Sequence, residues 1–241
     1  MVIIDKVTKI YNKKFKAVEE LSLEIKDGEI FGILGPNGSG KTTTLKMLTG
    51  SLSINEGTIK INGYDITKDS VQAKKEFGFV PDSPDIFLKL SGIEYLHFLA
   101  TVYGLDKDYA KERIDLLSSK FDMQEDLLSK IETYSHGMRQ KIIIMGALIH
   151  NPKVWILDEP MTGLDPKSAH NLKEMMREHA DNGNCVIFST HVLEVAEKVC
   201  DSIAIIKEGK LLYTGKMKDI KNEMKNNQSL EDIFLEMTEH E

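Results

Sequence analysis

The hydrophobic pattern of the chain predicts strands near both ends and a helical stretch between them. Several strand-length segments are apolar throughout, as the strands of a parallel sheet are when helices cover both faces. Segments with the 3.6-residue period of a helix alternate with them, which favours an α/β fold with a mostly parallel sheet. The predicted strands span residues 2–8, 16–25, 29–34, 58–61, 77–80, 154–157, 185–189 and 202–206, and predicted helices include 41–48 and 138–149.

Residues 83–137 interrupt this alternation with helices alone. Ser91 and Glu94 have the spacing of a capping box at a helix start, and Gly104 ends that helix. We therefore expect a helical subdomain that is inserted in one α/β domain of residues 1–218 and serves a partner. The apolar face of its first helix is predicted from Ile93, Leu96, Leu99 and Val102.

Residues 219–241 form a short, charged tail with scattered apolar positions. This spacing is consistent with an amphipathic helix, and the favoured interpretation is a solvated helix outside the core. The apolar positions of the C-terminal segment are Ile220, Leu230, Ile233, Phe234 and Met237.

Composition excludes several classes of protein. The net charge is −7 and no long basic block occurs, which argues against a nucleic-acid binder. The longest apolar run, 142–149, is far shorter than the roughly 20 residues that a membrane span needs, and no signal segment is evident at the start, so a cytosolic location is expected. Cys185 and Cys200 lack metal-site spacing and are predicted to be buried thiols.

A glycine-rich loop between a predicted strand and a predicted helix matches the pattern GxxxxGK[ST] in full. In this loop the backbone N–H groups and the helix N-terminus surround phosphates, the lysine reaches the outer phosphates and the hydroxyl ligates Mg²⁺. The sequence therefore predicts a P-loop nucleoside-triphosphate site with ATP and Mg²⁺ as ligands. Its residues are Gly35, Pro36, Asn37, Gly38, Ser39, Gly40, Lys41, Thr42 and Thr43.

Two carboxylates, Asp158 and Glu159, follow the apolar strand 154–157. They are expected at the carboxyl edge of the sheet, where α/β proteins bind ligands. Asp158 is predicted to hold Mg²⁺ with Thr42, and Glu159 to polarise the water that attacks the γ-phosphate. On its own such a pair more often serves as helix N-terminal charge, but the glycine loop makes the catalytic interpretation the stronger one.

Ser135 and Gly137 start a second helix whose N-terminus suits an anion. A single nucleotide has no obvious use for two anion-binding helix termini. In a dimer, each of the two termini could have a phosphate to bind. With this motif the order of motifs resembles the nucleotide-binding subunits of ATP-binding cassette (ABC) transporters, over residues 1 to about 217. The resemblance places 134–138 at the family signature, usually LSGGQ, and implies that Ser135 and Gly137 contact a γ-phosphate held by the opposing subunit.

The resemblance assigns three further positions. Asp165 matches the loop that communicates across the dimer, His191 matches the switch histidine that senses the γ-phosphate, and Tyr11 matches the aromatic that stacks on adenine. Each also has a structural alternative: Asp165 as an ordinary N-cap, His191 as a structural histidine and Tyr11 as an exposed strand-end residue.

This sequence departs from the family at three positions. Asp82 stands where the family has glutamine; a carboxylate can ligate Mg²⁺, while the coupling role of the glutamine is in doubt. His136 and Met138 replace the usual signature residues. Two roles remain open for His136, because its side chain could donate to a phosphate or only face outward.

The resemblance implies an α/β fold in which a P-loop core with a mostly parallel sheet carries an antiparallel β subdomain and the inserted helical subdomain. It further implies a Mg²⁺-dependent ATPase that forms a homodimer or heterodimer and drives separate membrane-spanning permease subunits from the cytoplasmic face of the membrane. The 90–96 region and the short tail resemble exporters more than nutrient importers. Two other classes stay open at this point: a cytosolic ABC ATPase that acts on ribosomes or DNA, and a nucleotide-binding regulator without turnover. The acidic balance weighs against the first, and the presence of Glu159 and His191 against the second.

Overall fold

The computed structural model describes residues 1–83, 87–223 and 230–239. The described part excludes residues 84–86, near the predicted start of the helical insert, and residues 224–229 and 240–241 of the tail. It also excludes the side chain of Met237. The strands are β1 (Val2–Tyr11), β2 (Phe15–Ile25), β3 (Ile30–Leu34), β4 (Glu56–Ile61), β5 (Tyr64–Asp65), β6 (Phe77–Val80), β7 (Val154–Asp158), β8 (Cys185–Thr190), β9 (Ser202–Lys207) and β10 (Lys210–Lys216).

Nine α-helices occur in these ranges. They are α1 (Lys41–Leu48), α2 (Ser70–Lys75), α3 (Gly92–Val102), α4 (Lys107–Lys120), α5 (His136–Leu148), α6 (Pro166–Asp181), α7 (Leu193–Val199), α8 (Met217–Glu223) and α9 (Leu230–Glu239). Every strand that the sequence analysis predicts is present. The short strand β5, the edge strand β10 and the short helix α2 were not predicted from the sequence.

The strands form two sheets. A four-stranded antiparallel sheet has the order β2-β1-β4-β5, and a six-stranded sheet has the order β10-β9-β3-β8-β7-β6. In the second sheet the pairs from β9 to β6 are all parallel, and only β10 runs antiparallel to its neighbour. The predicted α/β class with a mostly parallel sheet and an antiparallel β unit is therefore confirmed.

The large sheet is buried on both faces, which explains its continuous apolar strands. Successive side chains of a strand point to opposite faces: Val154 and Ile156 of β7 pack in a core shared with the antiparallel sheet and α1, while Trp155 and Leu157 pack in a second core with the helices of the opposite face. Cys185 and Cys200 are buried free thiols, as predicted.

The inserted block contains α3, α4 and two single-turn 3₁₀ helices. Ser91 and Glu94 form the predicted capping box at α3. Leu96 is buried, but Val102 is 61% exposed, so the predicted four-residue apolar face is wrong at its last position. Six residues turn a helix by roughly 600°, which places Val102 about 120° away from Leu96 around the axis.

The C-terminal helix differs from its prediction. It is amphipathic, but it is not a solvated tail, because Leu230 is 1% exposed and Ile233 and Phe234 pack against the main core. α9 lies against α7, and Ile220 of α8 is buried in the same core. Apolar residues that recur at helical spacing contribute about 1.5–3 kcal/mol each when buried, which explains why the segment packs on the domain.

Candidate functional site

Several of the predicted site residues lie at one edge of the large sheet, where four adjacent parallel strands have their carboxyl ends. The glycine loop follows β3, His191 follows β8, the acidic pair lies at the end of β7, and Asp82 follows β6. This is the edge at which open α/β sheets bind ligands.

The glycine loop joins β3 to α1 through close backbone contacts. A Cβ on Gly35 would lie 2.2 Å from the carbonyl oxygen of Ile206, so no larger residue fits there. Gly40 is the N-cap of α1 with φ of 109°, a conformation that side chains disfavour. The loop therefore needs glycine at these positions, and it leads into the first turn of α1, whose residues Lys41, Thr42 and Thr43 line a cleft.

Lys41 lies under this loop with only 6% of its surface exposed. Its Nζ donates to the carbonyl oxygens of Gly35 at 2.8 Å and Pro36 at 3.2 Å, and lies 3.7 Å from Oε1 of Glu159. Burial lowers the pKa of Lys41, while the carboxylates of Glu159 and Asp158 oppose this shift. The ammonium group of Lys41 is thus fixed beside the loop, where it could contact a bound phosphate.

Asp158 is 1% exposed and accepts hydrogen bonds from the hydroxyls of Ser189, at 2.6 Å, and Thr42, at 3.3 Å. Burial raises the pKa of its carboxyl against these hydrogen bonds, and the charges of Asp82 and Glu159 add to the rise. A carboxylate beside a threonine hydroxyl is a ligand set that suits Mg²⁺, which takes few protein oxygens and keeps water and phosphate ligands. Within the described ranges no group of three or more His, Cys, Asp or Glu side chains is arranged for a metal.

Glu159 leaves β7 in a left-handed conformation, with φ of 48°. Its N–H donates to the hydroxyl of Ser189 at 3.0 Å, and its Oε1 lies 3.0 Å from Nδ1 of His191. An unfavourable φ of this kind persists where surrounding contacts fix it, and such residues cluster at functional sites. Glu159 is thereby held between Lys41 and His191.

The glycine loop opens on a cleft of about 360 Å³. Tyr11 and Phe15, paired across the β1–β2 hairpin, form its aromatic end, with Phe15 62% exposed. Gly35, Pro36 and Ser39 of the loop are not among the lining residues, and the Ser39 hydroxyl is buried without a hydrogen-bond partner among the described residues. The cleft is lined by Tyr11, Phe15, Ala17, Asn37, Gly38, Gly40, Lys41, Thr42, Thr43, Asp82 and Glu159.

Sequence reasoning missed two residues of this site. Phe15 faces the cleft beside Tyr11, and only the hairpin register, which pairs these two residues, could have indicated it. Ser189 hydrogen-bonds to both members of the acidic pair because it is the cross-strand partner of Asp158. Predicting that contact would have required knowing that β7 and β8 are neighbours, which the sequence does not state.

The remaining predicted residues lie outside the cleft. Ser135 is the N-cap of α5 and accepts from the N–H of Met138 at 3.3 Å. Asp165 is the N-cap of α6, with Pro166 in its first turn, and accepts from the N–H of Ser168 at 3.0 Å. Ser135, Gly137 and Asp165 are not among the described residues that line the cleft.

A glycine loop over a buried lysine, with a carboxylate, a hydroxyl and a histidine at the same sheet edge, defines a P-loop nucleotide-binding protein. The sequence profile of the ABC transporter family matches residues 18–162, more than half of the chain. The chain belongs to this family, and the membership assigns ATP binding and ATP hydrolysis to it.

Individual relatives agree with this assignment. The linearmycin resistance ATP-binding protein LnrL of Bacillus subtilis (strain 168) is 37% identical over 216 residues, which cover 90% of this chain and 69% of LnrL. The ABC transporter ATP-binding protein NatA of the same organism is 34% identical over 224 residues, 92% of this chain and 91% of NatA.

Solved structures show the same fold. The structure of an ATP-binding subunit of an ABC transporter matches with a TM-score of 0.93 at 31% identity and covers 99% of both chains. A post-hydrolysis structure of the ATP-binding cassette MJ0796 matches with a TM-score of 0.80 at 24% identity, over 90% of this chain and 99% of that one. No helix in the described ranges is long and apolar enough to span a membrane.

Proposed function

We propose that the chain is a Mg²⁺-dependent ATPase subunit that acts as a dimer and drives separate membrane-spanning permease subunits from the cytoplasmic face of the membrane. One observation carries the catalytic part: Oε1 of Glu159 lies 3.0 Å from Nδ1 of His191 and 3.7 Å from Nζ of Lys41. A carboxylate between a phosphate-binding lysine and a histidine is placed to orient water toward a γ-phosphate.

Different cleft residues would contact different parts of ATP. The aromatic faces of Tyr11 and Phe15 would hold adenine, while the loop N–H groups and Lys41 would bind the β- and γ-phosphates. Bound Mg²⁺ would supply positive charge that neutralises the phosphates. Thr42 and Asp158 would ligate it, with Asp82 at the cleft wall as a further oxygen ligand. His191 would contact the γ-phosphate and keep Glu159 oriented.

Residues outside the cleft support the proposed dimer. Ser135 and Gly137 at the exposed start of α5 form an anion-suited terminus with no phosphate site of their own. In a head-to-tail arrangement they, with Asp165, would reach the γ-phosphate in the cleft of the opposing subunit. Both halves of the composite site are present in this chain, so a homodimer satisfies it; a related second subunit would do the same.

Contact with permease subunits would use the inserted helical block. The rings of Phe87 and Phe98 lie in a tilted contact, with centroids 5.5 Å apart and an interplanar angle of 49°. They are 46% and 44% exposed, and Val102 on the same helix as Phe98 is also exposed. Exposed aromatic groups of this kind mark protein interaction sites. Export is the favoured direction, because LnrL is named for resistance to linearmycin, which suggests removal of a compound from the cell.

Light scattering of the variant Glu159→Gln with and without Mg-ATP tests the proposal. We expect this variant to bind ATP and to change from monomer to dimer, because the substitution removes the base and preserves the phosphate contacts. Wild type should hydrolyse ATP, and EDTA should abolish turnover. Glu174→Gln, a substitution at an exposed position of α6, serves as the control that keeps wild-type turnover. A Glu159→Gln protein that binds Mg-ATP and remains monomeric contradicts the dimer.

A further inference from the structure

The imidazole of His136, the first residue of α5, lies against the backbone of Gly163 in the loop between β7 and α6. A Cβ on Gly163 would lie 2.2 Å from Cδ2 and 2.5 Å from Nε2 of His136, which is closer than non-bonded atoms approach. Gly163 has φ of 78°, in the left-handed region. The ring therefore occupies the space that a side chain at position 163 would need.

A second contact joins the same two segments. A Cβ on Gly137 would lie 3.3 Å from the carbonyl oxygen of Gly163, so the backbones themselves pass close to each other. Two residues after Gly163, Asp165 caps α6 through Ser168. The start of α5 and the loop that carries Asp165 thus meet at Gly163, although 26 positions separate residues 137 and 163 in the sequence.

We propose that His136 is a positioning residue that holds the 161–165 loop against the start of α5, so that both approach an opposing subunit as one rigid unit. The proposal rests on the proposed function, in which Ser135, Gly137 and Asp165 reach the partner. A glycine at position 136 could make no such side-chain contact. Neither role left open by the sequence, phosphate donor or outward-facing group, includes this contact. Preorganised segments lose less conformational entropy on association, which favours dimerisation.

The test compares dimerisation with ATP binding. In the Glu159→Gln background, His136→Ala should weaken Mg-ATP-dependent dimerisation about tenfold, equivalent to about 1.4 kcal/mol. The affinity of the monomer for ATP should stay within about twofold, because the cleft contains neither residue 136 nor residue 163. His136→Phe, which keeps a planar ring, should restore dimerisation. The control is His97→Ala, which removes an exposed histidine from α3.

A double-mutant cycle tests the contact itself. Gly163→Ala alone should impair dimerisation, because its methyl group collides with the His136 ring. In the His136→Ala background the same substitution should cost clearly less, since only the strain of a positive φ remains. Strictly additive effects of the two substitutions on dimerisation would overturn the proposal.

The results separate this proposal from the proposed function. If Glu159→Gln dimerises and His136→Ala in that background dimerises equally well, the positioning role is wrong and the dimer stands. If His136→Ala weakens ATP binding by the monomer as much as dimerisation, the residue acts through general stability and the proposal is also wrong. If Glu159→Gln with His136 intact does not dimerise, the proposed function itself fails.

Discussion

The nucleotide cleft and the start of α5 both suit phosphate, but they are built differently. In the cleft, Lys41 and Asp158 are almost fully buried and each has at least two polar partners. At the start of α5, Ser135 and His136 are exposed, and the Ser135 hydroxyl only caps its own helix. The comparison shows that the cleft is organised by contacts within one chain, whereas the second region is exposed and, in the proposed dimer, would contact the opposing subunit.

The largest effect is expected from Glu159→Gln. Removal of the carboxylate should lower kcat by at least about 100-fold, because general-base catalysis contributes roughly 10²–10⁴-fold, while ATP affinity stays near wild type. Single-turnover hydrolysis and equilibrium binding of labelled ATP measure the two quantities. If kcat stays within threefold of wild type, another group activates the water and the assignment of Glu159 is wrong.

Ser189→Ala should have the next largest effect, because its hydroxyl donates to Asp158 and accepts from the N–H of Glu159. We expect about 1–3 kcal/mol lower stability and a kcat lower by about tenfold. Urea unfolding and ATPase assays measure both.

The matched control for that variant is Ser202→Ala, another buried serine, whose hydroxyl donates to the Glu29 carboxylate away from the cleft. It should lose comparable stability and keep wild-type kcat. Equal loss of kcat in the two variants would show that general destabilisation, and not the orientation of the acidic pair, causes the effect.

Ser135→Ala should affect the second region alone. It removes an N-cap, at a cost of about 1 kcal/mol of stability, and in the proposed dimer it would also remove a contact to the opposing γ-phosphate. ATP binding by the monomer should be unchanged, while dimerisation in the Glu159→Gln background should weaken by about tenfold. Ser91→Ala removes a comparable N-cap from α3 and should leave dimerisation intact. Impaired ATP binding by monomeric Ser135→Ala would mean that the two regions act within one chain.

The smallest effect on the two regions is expected from a lower pH, because the two histidines with the most lowered pKa values, His150 and His179, lie in neither region. Burial lowers the pKa of His150 to about 4 and that of His179 to about 4, below the ordinary value of about 6.5. The unfolded chain therefore binds more protons between these values, so the free energy of unfolding is maximal above about pH 6.5 and falls as the pH drops toward 4.

The loss should be on the order of 2 kcal/mol for each histidine. Urea unfolding at pH 7 and pH 4.5 measures it, with a His150→Gln, His179→Gln double variant for comparison. A variant that loses as much stability in acid as wild type would show that other groups cause the pH dependence.

Residues close in sequence could be predicted well, and residues joined only by folding could not. The glycine loop, the caps at Ser91, Ser135 and Asp165, and the apolar strands follow from local pattern. His191, by contrast, lies between β8 and α7, which begins at Leu193, and its partner does not follow from local pattern. In the structure its side chain contacts Glu159 from the next strand.

The contacts that could not be predicted share a physical cause: each depends on which segments become neighbours in the fold. Phe15 joins the cleft through the hairpin register with Tyr11, and Ser189 reaches the acidic pair through strand pairing. The contact of His136 with Gly163 joins the start of α5 to the loop before α6, which is distant in the sequence. The packing of α9 on α7 likewise depends on an apolar surface that only the folded domain presents.

The most direct test of the central claim mixes two impaired variants. Lys41→Ala damages the cleft and Ser135→Ala damages the start of α5, so each homodimer should carry only damaged sites. A mixed dimer contains one composite site with both elements intact, and about half of the dimers in an equal mixture are mixed. We predict recovery of up to about a quarter of wild-type ATPase activity. Activity equal to the mean of the two separate variants would contradict the claim that one chain completes the cleft of another.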